Sequence, residues 1–301
     1  MTNIDTRGLE RISKEICESI EDELNNLNLF FRVFYRYKAE DSLHKKLSKQ
    51  TKEGAPKYTE QKKIQDVIGI RINLYFADDI EVVYNLFKEK FEFIEETIDK
   101  NLETEFKPTR INLIFKIHKK HNREFKDLIP DLRIDNTFEL QLRTVLSEGW
   151  HEVDHDLRYK CEDDWQKHTD LSRMFNGILA AIETNEWSML QLFNELSYRH
   201  YQNSDCEAML RTKFRIRLND QKIKPQLKDI LQDQELQKKF FKLERKIFLN
   251  YLKEKPLIVP MNLENLVYIL NYIFIQDKRI LEETPDLILI QLKPTLSKLV
   301  V

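Results

Sequence analysis

Residues 67–76 are the part of this sequence that most restricts its fold. The run is rich in β-branched and aromatic side chains and mostly apolar, which is typical of a strand in the middle of a sheet. Further strands are predicted at 110–118, where apolar and polar residues alternate, and at 138–143. A buried sheet needs helices over it, and apolar residues at helical spacing predict them over 9–27, 39–49, 80–91, 144–160 and 165–200. The sequence therefore indicates an α+β or α/β core.

The last part of the chain lacks a strand pattern. Beyond about residue 205 the apolar residues recur at helical spacing, and Pro225, Pro256, Pro260 and Pro285 interrupt the pattern. Core packing explains these apolar faces better than a ligand site does. We expect a helical C-terminal region over 205–301, where a protein partner or a second copy of the chain could bind.

Glycine is scarce, with 5 glycines among 301 residues, against a usual share of about 7%. They lie far apart, which excludes the clustered glycines of a GxxxxGK[ST] phosphate loop or a GxGxxG dinucleotide turn. The net charge of −2 predicts no general attraction to nucleic acid or an anionic membrane. Any bound nucleotide must therefore be held by charged side chains in a local patch.

The cysteines and the apolar segments favour an intracellular protein. The 3 cysteines have no CxxC spacing, which argues against a disulfide framework and against a structural zinc site. The first residues lack the apolar run of a signal peptide, and no stretch approaches the ~18 apolar residues of a membrane span. We expect a reduced, soluble, cytoplasmic protein that does not enter a membrane.

A basic segment follows the first predicted helix. Lys38, Ser42 and Lys46 recur every four residues, so on a helix they would line one face, with Arg36 just before it. Two ammonium groups, a hydroxyl and a guanidinium suit a triphosphate. Residues 36–63 carry 9 basic and 4 acidic residues. A solvated basic face is the alternative, and for a lysine-rich helix taken alone it is the more common outcome.

Polar residues accompany two of the predicted strands. Asp66 precedes the first, where a carboxylate is costly unless it is paired or holds a metal. Arg71 has the opposite parity in a regular strand, so it would need a bulge or bend to meet Asp66. In the strand at 138–143 the period of two places Glu139, Gln141 and Arg143 on one face and apolar residues on the other. The alternatives are an aspartate in a turn and an exposed antiparallel face.

The next segment contains the pattern H-E-x-x-H, which is typical of zinc hydrolases, at His151, Glu152 and His155. A zinc hydrolase needs a third ligand. The extended pattern has glycine and histidine where this chain has Arg158 and Cys161. An ordinary helix anchored by a buried tryptophan is therefore favoured over a zinc site.

In order and spacing, these residues resemble the synthetase domain of the RelA/SpoT alarmone synthetase family over about residues 20–200. A lysine-rich insertion before Asp66 is longer than the family spacing. The matching segments are Arg36-x-Lys38-x3-Ser42-x3-Lys46, Asp66-x-x-Gly69-x-Arg71, Glu139-x-Gln141-x-Arg143-Thr144 and Trp150-x-Glu152-x-x-His155. They are similar to the family's ATP-phosphate segment, its D-x-x-G-x-R strand, its E-x-Q-x-R-T strand and its W-x-E-x-x-H helix.

The resemblance implies an α+β domain over 1–204, with a mixed, nucleotidyltransferase-like sheet flanked by helices. It implies an ATP-dependent pyrophosphokinase that transfers the β,γ-pyrophosphate of ATP to the ribose 3′-hydroxyl of a guanosine nucleotide, making (p)ppGpp or a related alarmone. The implied catalytic residues and Mg²⁺ ligands are Asp66 and Glu139, of which Glu139 could also take the acceptor's proton. ATP would be bound by Arg36, Lys38, Ser42, Lys46 and Arg71, and substrate would be positioned by Gln141, Arg143 and Asn112.

One family segment, G-Y-x-x-x-H, differs in this chain. Its equivalent runs from Lys107 through Pro108 to Asn112, so the aromatic ring that would stack on a guanine base is replaced. Two alternatives therefore stay open. A toxin-type member would pyrophosphorylate the 3′ end of tRNA and grip its phosphates with the basic segment 45–63. A catalytically silent module would sense a nucleotide and bind a partner through 205–301, but Asp66 and Glu139 count against it.

Overall fold

In a computed structural model of the protein, residues 4–98, 111–220 and 222–293 are described. Their contacts form two compact units. The first unit contains the residues up to Glu23 and the segment Phe31–Glu186. The second unit contains Leu24–Phe30 and the residues from Trp187 onward.

The first unit is built on a five-stranded mixed sheet. In chain order its strands are β1 (Phe31–Tyr37), β2 (Ile68–Leu74), β3 (Phe93–Ile98), β4 (Ile111–Lys116) and β5 (Thr137–Thr144). Their order across the sheet is β1-β2-β5-β4-β3, and among these neighbours only β2 and β5 run parallel. The predicted α+β class is confirmed, and so are the three predicted strands β2, β4 and β5. Strands β1 and β3 were not predicted.

Helices surround the sheet in this unit. They are α1 (Leu9–Asn26), α2 (Glu40–Leu47), α3 (Asp79–Lys90), α4 (Asn122–Leu128), α5 (Val145–Val153), α6 (Glu162–Trp165) and α7 (Thr169–Gln202). Of these, α1 belongs to this unit up to Glu23 and α7 up to Glu186. The helices predicted over 9–27, 39–49, 80–91 and 165–200 are confirmed within a few residues. The one predicted over 144–160 ends at Val153, and a π-helical turn over Asp154–Tyr159 follows it.

One face of the sheet is the core of the unit. Ile70, Leu140 and Leu113 lie in register on three adjacent strands, and each is fully buried. Phe91, just after α3, packs its ring 5.4 Å from the ring of Phe138 on β5. This burial is the main stabilising contribution and fixes the register, because a one-residue slip would expose the apolar set. The other face is consequently left for polar residues.

The described residues of the second unit form helices and connecting loops, with no strand. After the shared helix α7 it contains α8 (Cys206–Phe214), α9 (Pro225–Ile230), α10 (Gln234–Lys242), α11 (Arg245–Glu254), α12 (Leu263–Leu270), α13 (Lys278–Glu283) and α14 (Asp286–Leu292). Phe214, Phe240 and Phe248 are fully buried in its core. The predicted helical C-terminal region with a packed apolar core is thus confirmed. Among the described residues of the chain, no helix is long and apolar enough to cross a membrane.

Candidate functional site

The second face of the sheet, which we call the polar face, carries most of the predicted site residues. Neighbouring strands bring them side by side in rows, since residues paired in register point to the same face. The rows are Arg36 with Gly69 and Glu139, Phe34 with Arg71, Gln141 and Asn112, and Asn73 with Arg143. The predicted alternation of β5 is therefore confirmed.

Asp66 lies two residues before the start of β2 and binds two lysines. The ammonium group of Lys38 donates to Asp66 Oδ2 at 2.8 Å and to its backbone oxygen at 2.9 Å. The ammonium group of Lys46 donates to both carboxylate oxygens at 2.7 Å. Although burial alone would raise it, the two lysines hold the pKa of Asp66 below its usual value. Burial lowers the pKa of Lys38, and the nearby Asp66 offsets only part of that effect.

The prediction that Lys38 shares a helix face with Ser42 and Lys46 is wrong. The backbone N–H of Lys38 donates to the Val67 carbonyl at 2.9 Å, so Lys38 extends the pairing of β1 with β2, and α2 begins only at Glu40. Arg36 lies within β1. Ser42, one turn before Lys46 on α2, is exposed. The lysines meet at Asp66 from a strand end and a helix, respectively.

A large cavity of about 790 Å³ contains both predicted catalytic carboxylates. Its lining includes Asp66, Glu139 and Lys46, together with Lys62 and Lys63 from the lysine-rich insertion. The cavity thus brings Asp66 and Glu139 together. We call it the carboxylate cavity.

Tyr58 also lines the carboxylate cavity and was not singled out from the sequence. The Lys46 ammonium group lies 5.5 Å from the centre of the Tyr58 ring, within the range of a cation–π contact. A tyrosine among lysines in a predicted loop was the only sequence signal for it.

A smaller cavity of about 180 Å³ lies on the same sheet face. Arg36, Arg71, Gly69 and Glu152 line it, and the half-exposed ring of Phe34 is beside them. We call it the arginine cavity. The predicted ATP-binding residues are thus divided, because Lys46 lines the carboxylate cavity whereas both arginines line this one.

Gly69 allows the side chain of Arg36 to cross the sheet. A Cβ atom at position 69 would lie 3.2 Å from Arg36 Nε and 3.3 Å from its Cγ, which is tighter than ordinary contact. The missing side chain therefore creates room for the guanidinium group. This gives a structural reason for the glycine in the D-x-x-G-x-R segment.

Replacing Gly69 with alanine should push Arg36 aside and weaken the binding of a non-hydrolysable ATP analogue about tenfold. The free energy of unfolding should change by less than about 1 kcal/mol, because a flexible side chain can move. Calorimetric titration and chemical denaturation measure the two effects. Gly149→Ala on α5 is the control, since nothing lies within 4 Å of its added Cβ. Equal analogue affinity in both variants would contradict this reading.

Arg71 is the centre of a hydrogen-bond network. Its Nε donates to Gln141 Oε1 at 3.1 Å, and its NH1 donates to Glu148 and to Glu152. Against the effect of burial, these two carboxylates raise the pKa of Arg71. Gln141 Nε2 in turn donates to Glu139 Oε2 at 2.8 Å. The parity argument is confirmed, because Arg71 meets these residues while Asp66 meets the lysines.

Glu148 was not identified from the sequence, and Glu152 was noted only within a motif. They lie four residues apart on α5, so they share a helix face. That spacing is the signal that could have found them. The partner of Glu148 could not be predicted from the sequence, because Arg71 lies 77 residues before Glu148.

Arg143 and Asn112 also meet, as a brace between β5 and β4. Arg143 is buried, donates to Asn112 Oδ1 at 3.3 Å and donates to its neighbour's backbone oxygen at 2.8 Å. The segment Lys107–Arg110, where the acceptor motif differs, lies outside the described residues. Asn112, the predicted site residue at the end of that motif, lies within the described residues.

The residues of the H-E-x-x-H pattern have separate contacts. His151 is buried with its ring edge against Trp150, and His155 Nδ1 lies 2.9 Å from Asp156 Oδ1. Over residues 4–98, 111–220 and 222–293, no group of three or more acidic, histidine or cysteine side chains is arranged to hold a metal ion.

The N-terminus of α5 is fixed by a buried glutamate. Thr144 caps the helix and forms a capping box with Ser147, and its hydroxyl donates to the carboxylate of Glu186. Burial raises the pKa of Glu186. This contact supports the helix that carries Glu148 and Glu152.

Replacing Glu186 with glutamine should make the protein increasingly more stable than wild type as the pH rises from 4 to 8. A raised pKa means that folding favours the protonated form, so wild type loses stability as the pH rises through that pKa, whereas the amide is insensitive. The amide oxygen can still accept from Thr144. Chemical denaturation of both proteins across this pH range measures the difference in their free energies of unfolding, which should grow with pH. A constant difference would contradict the prediction.

The fold and the site define an α+β domain whose polar sheet face joins lysines, arginines and carboxylates around two cavities. Residues 35–164 match the family model described as the region found in RelA/SpoT proteins. The resemblance predicted from the motifs is therefore confirmed for this segment of the chain. No curated protein matches the sequence.

Solved structures of three proteins illustrate the likeness. Small alarmone synthetase 2 from Bacillus subtilis is 20% identical, with a TM-score of 0.46 over 62% of this chain and 92% of that one. A GTP pyrophosphokinase family protein from Streptococcus pneumoniae is 16% identical, with a TM-score of 0.45 over 60% and 87%. Small alarmone synthetase 1 from Bacillus subtilis, bound to its product pppGpp, is 17% identical, with a TM-score of 0.43 over 62% and 94%.

Proposed function

We propose that the protein is an ATP-dependent pyrophosphokinase that transfers the β,γ-pyrophosphate of ATP to the ribose 3′-hydroxyl of a guanosine nucleotide. The observation that carries the proposal is the carboxylate cavity, where Asp66 and Glu139 lie together with Lys46 inside a RelA/SpoT region. The ammonium groups can bind phosphates there, and a neighbouring carboxylate can accept a proton at the same place.

ATP would span the two cavities. Lys38 and Lys46 would contact its phosphates from the Asp66 side, and Ser42 could add a hydroxyl. Arg36 and Arg71 face the arginine cavity beside the ring of Phe34, and guanidinium planes and aromatic rings are surfaces on which a nucleobase stacks. We therefore assign the adenine to the arginine cavity.

Asp66 and Glu139 fit Mg²⁺ as ligands. Mg²⁺ prefers oxygen and is usually held by one or two carboxylates together with substrate phosphates, which matches two carboxylates in one cavity. Both oxygens of Asp66 accept from lysines here, so phosphates would have to draw those lysines away. When bound, the ion would neutralise charge on the phosphates during transfer.

In the reaction, the acceptor's 3′-oxygen attacks the β-phosphorus of ATP. A bond forms between that oxygen and the phosphorus, the bond from the β-phosphorus to the α,β-bridging oxygen breaks, and AMP leaves. Glu139 would take the hydroxyl proton, which makes the oxygen a better nucleophile. Lys38 and Lys46 would balance the negative charge of the moving pyrophosphate.

A second candidate acceptor is the 3′ end of tRNA. Lys62 and Lys63 line the carboxylate cavity although they belong to the lysine-rich insertion. Such lysines can neutralise backbone phosphates of a nucleic acid without reading its sequence. A tRNA acceptor would use the same donor site and the same chemistry.

The test is incubation of the purified protein with γ-labelled ATP and, separately, GDP, GTP, ADP, ATP or total tRNA. We expect label on GDP or GTP. Label on tRNA alone would overturn the guanosine nucleotide acceptor and favour the second candidate, and replacing Lys62 and Lys63 with glutamine should then reduce transfer to tRNA. No transfer to any acceptor, with Glu139→Gln equal to wild type, would overturn the enzyme proposal in favour of a silent nucleotide-binding module.

A further inference from the structure

Helix α5 is linked to Glu139 through consecutive side-chain hydrogen bonds. Glu148 accepts from Arg71, Arg71 donates to the oxygen of the Gln141 amide at 3.1 Å, and the amide nitrogen donates to Glu139 Oε2 at 2.8 Å. Three of the four members lie on β2 and β5, where Arg71 pairs with Gln141 in register and Glu139 lies two residues before Gln141 on the same face. We call this chain of contacts the Gln141 relay.

The chemistry of its partners fixes the orientation of the Gln141 amide. A guanidinium group can only donate, so the amide oxygen must face Arg71. The amide nitrogen must then face Glu139, whose carboxylate oxygen accepts its hydrogen bond. Turning the amide over would break both hydrogen bonds at once. The contact with Arg71 therefore determines that the amide nitrogen of Gln141, and not its oxygen, faces Glu139.

Two members of the relay are sheltered from water. The side chains of Gln141 and Glu148 are largely buried, and Glu148 Oε2 has no hydrogen-bond partner among the described residues. A buried carboxylate oxygen without a hydrogen-bond partner has a cost in free energy. The contact of Arg71 with the other oxygen of Glu148 offsets that cost. Hydrogen bonds in such a setting hold their geometry more firmly than exposed ones.

The relay also connects the two cavities. Arg71 and Gln141 line the arginine cavity, whereas Glu139 lines the carboxylate cavity. We propose that Gln141 and Glu148 are positioning residues that hold Glu139 in its reactive orientation and couple it to Arg71 at the donor site. The inference rests on the proposed function, since it gives these two residues a part in that reaction without contact to the reacting atoms.

Steady-state kinetics and analogue binding test the relay. Gln141→Met keeps the length of the side chain and removes its hydrogen bonds. We expect kcat to fall about 10–100-fold, while the dissociation constant of a non-hydrolysable ATP analogue stays within about twofold. Gln166→Met, at an exposed glutamine after α6, is the matched control and should alter neither quantity. A loss of analogue affinity equal to the loss of kcat/KM would overturn the positioning role.

A double-mutant cycle tests the order of the contacts. Glu148→Gln should lower kcat about 3–10-fold in the wild-type background and have almost no further effect on Gln141→Met. This is because, among the described contacts, Glu148 is linked to Glu139 through Arg71 and the amide of Gln141. Equal fold-losses in both backgrounds would overturn the relay.

A readout independent of catalysis separates the relay from the proposed function. The side-chain amide resonance of Gln141, assigned in a 15N-labelled protein by its loss in Gln141→Met, should shift in both Glu139→Gln and Glu148→Gln. A resonance that stays in place in either variant would overturn the relay. If the wild type transfers pyrophosphate to no acceptor, the proposed function fails, while these shifts still decide whether the relay exists.

Discussion

Replacing Glu139 with glutamine is expected to reduce pyrophosphate transfer about a thousandfold, the range in which loss of a general base falls. The amide keeps the size of the side chain and can still accept the hydrogen bond from Gln141. It cannot take the proton of the attacking hydroxyl, and it is a weaker ligand for a divalent cation. The rate at which label from γ-labelled ATP appears in the product, at saturating ATP, measures the loss.

The matched control is Glu96→Gln, which makes the same chemical change on β3. Glu96 accepts from the Tyr84 hydroxyl at 2.6 Å and from Lys88, both on α3, so it lies on the other face of the sheet from Glu139. Its replacement should leave transfer unchanged. Thermal unfolding should show that both variants are folded. A Glu139→Gln protein with more than about a tenth of wild-type activity would remove Glu139 from the role of base.

The polar face could be predicted from the sequence because its strands obey simple patterns. In β5 the alternation between Leu140 and Gln141 is regular, and in β2 the apolar run marks a central strand. Period-two geometry then gives the face of every side chain. Order along the chain, together with the motifs, was enough to group Asp66 with Glu139, whereas Arg71 lines the other cavity.

There are physical reasons why β1 and β3 were not predicted from the sequence. The register of β3 shifts between Phe93 and Glu95, which breaks the alternation that identifies a strand. In β1 aromatic residues occupy both faces, with Phe34 and Tyr35 each partly exposed at the edge of the sheet. Edge strands are less constrained by burial, so their patterns are weaker.

Contacts between distant segments could not be predicted either. Whether Lys38 belongs to a strand or a helix depended on the hydrogen bond from its backbone to Val67, a tertiary contact. The pairing of Arg71 with Glu148 depends on where α5 packs over the polar face. Local sequence gives the face of an element, while the neighbour on that face follows from the packing of the whole unit.

Replacing Asp66 with asparagine is expected to lower both stability and activity. The change leaves the ammonium groups of Lys38 and Lys46 close together without the carboxylate that each binds. Since all three side chains are about three-quarters buried, we expect the free energy of unfolding to fall by about 1–3 kcal/mol at pH 7. Transfer should fall about a hundredfold, because the lysines and the cation would both lose their anchor. Asp127→Asn, at an exposed position on α4, is the control for the charge change.

The loss of stability in Asp66→Asn should depend on pH in a definite direction. The lysines hold the pKa of Asp66 below its usual value, so its stabilising effect is complete above about pH 4. It declines as the pH falls through the lowered pKa, because the protonated carboxyl no longer attracts the ammonium groups. Denaturation curves of wild type and variant should therefore differ most at pH 6–8 and converge in acid. A difference that grows on acidification would mean that Asp66 is not the anion that keeps Lys38 and Lys46 together, and the donor site would then have to be built without it.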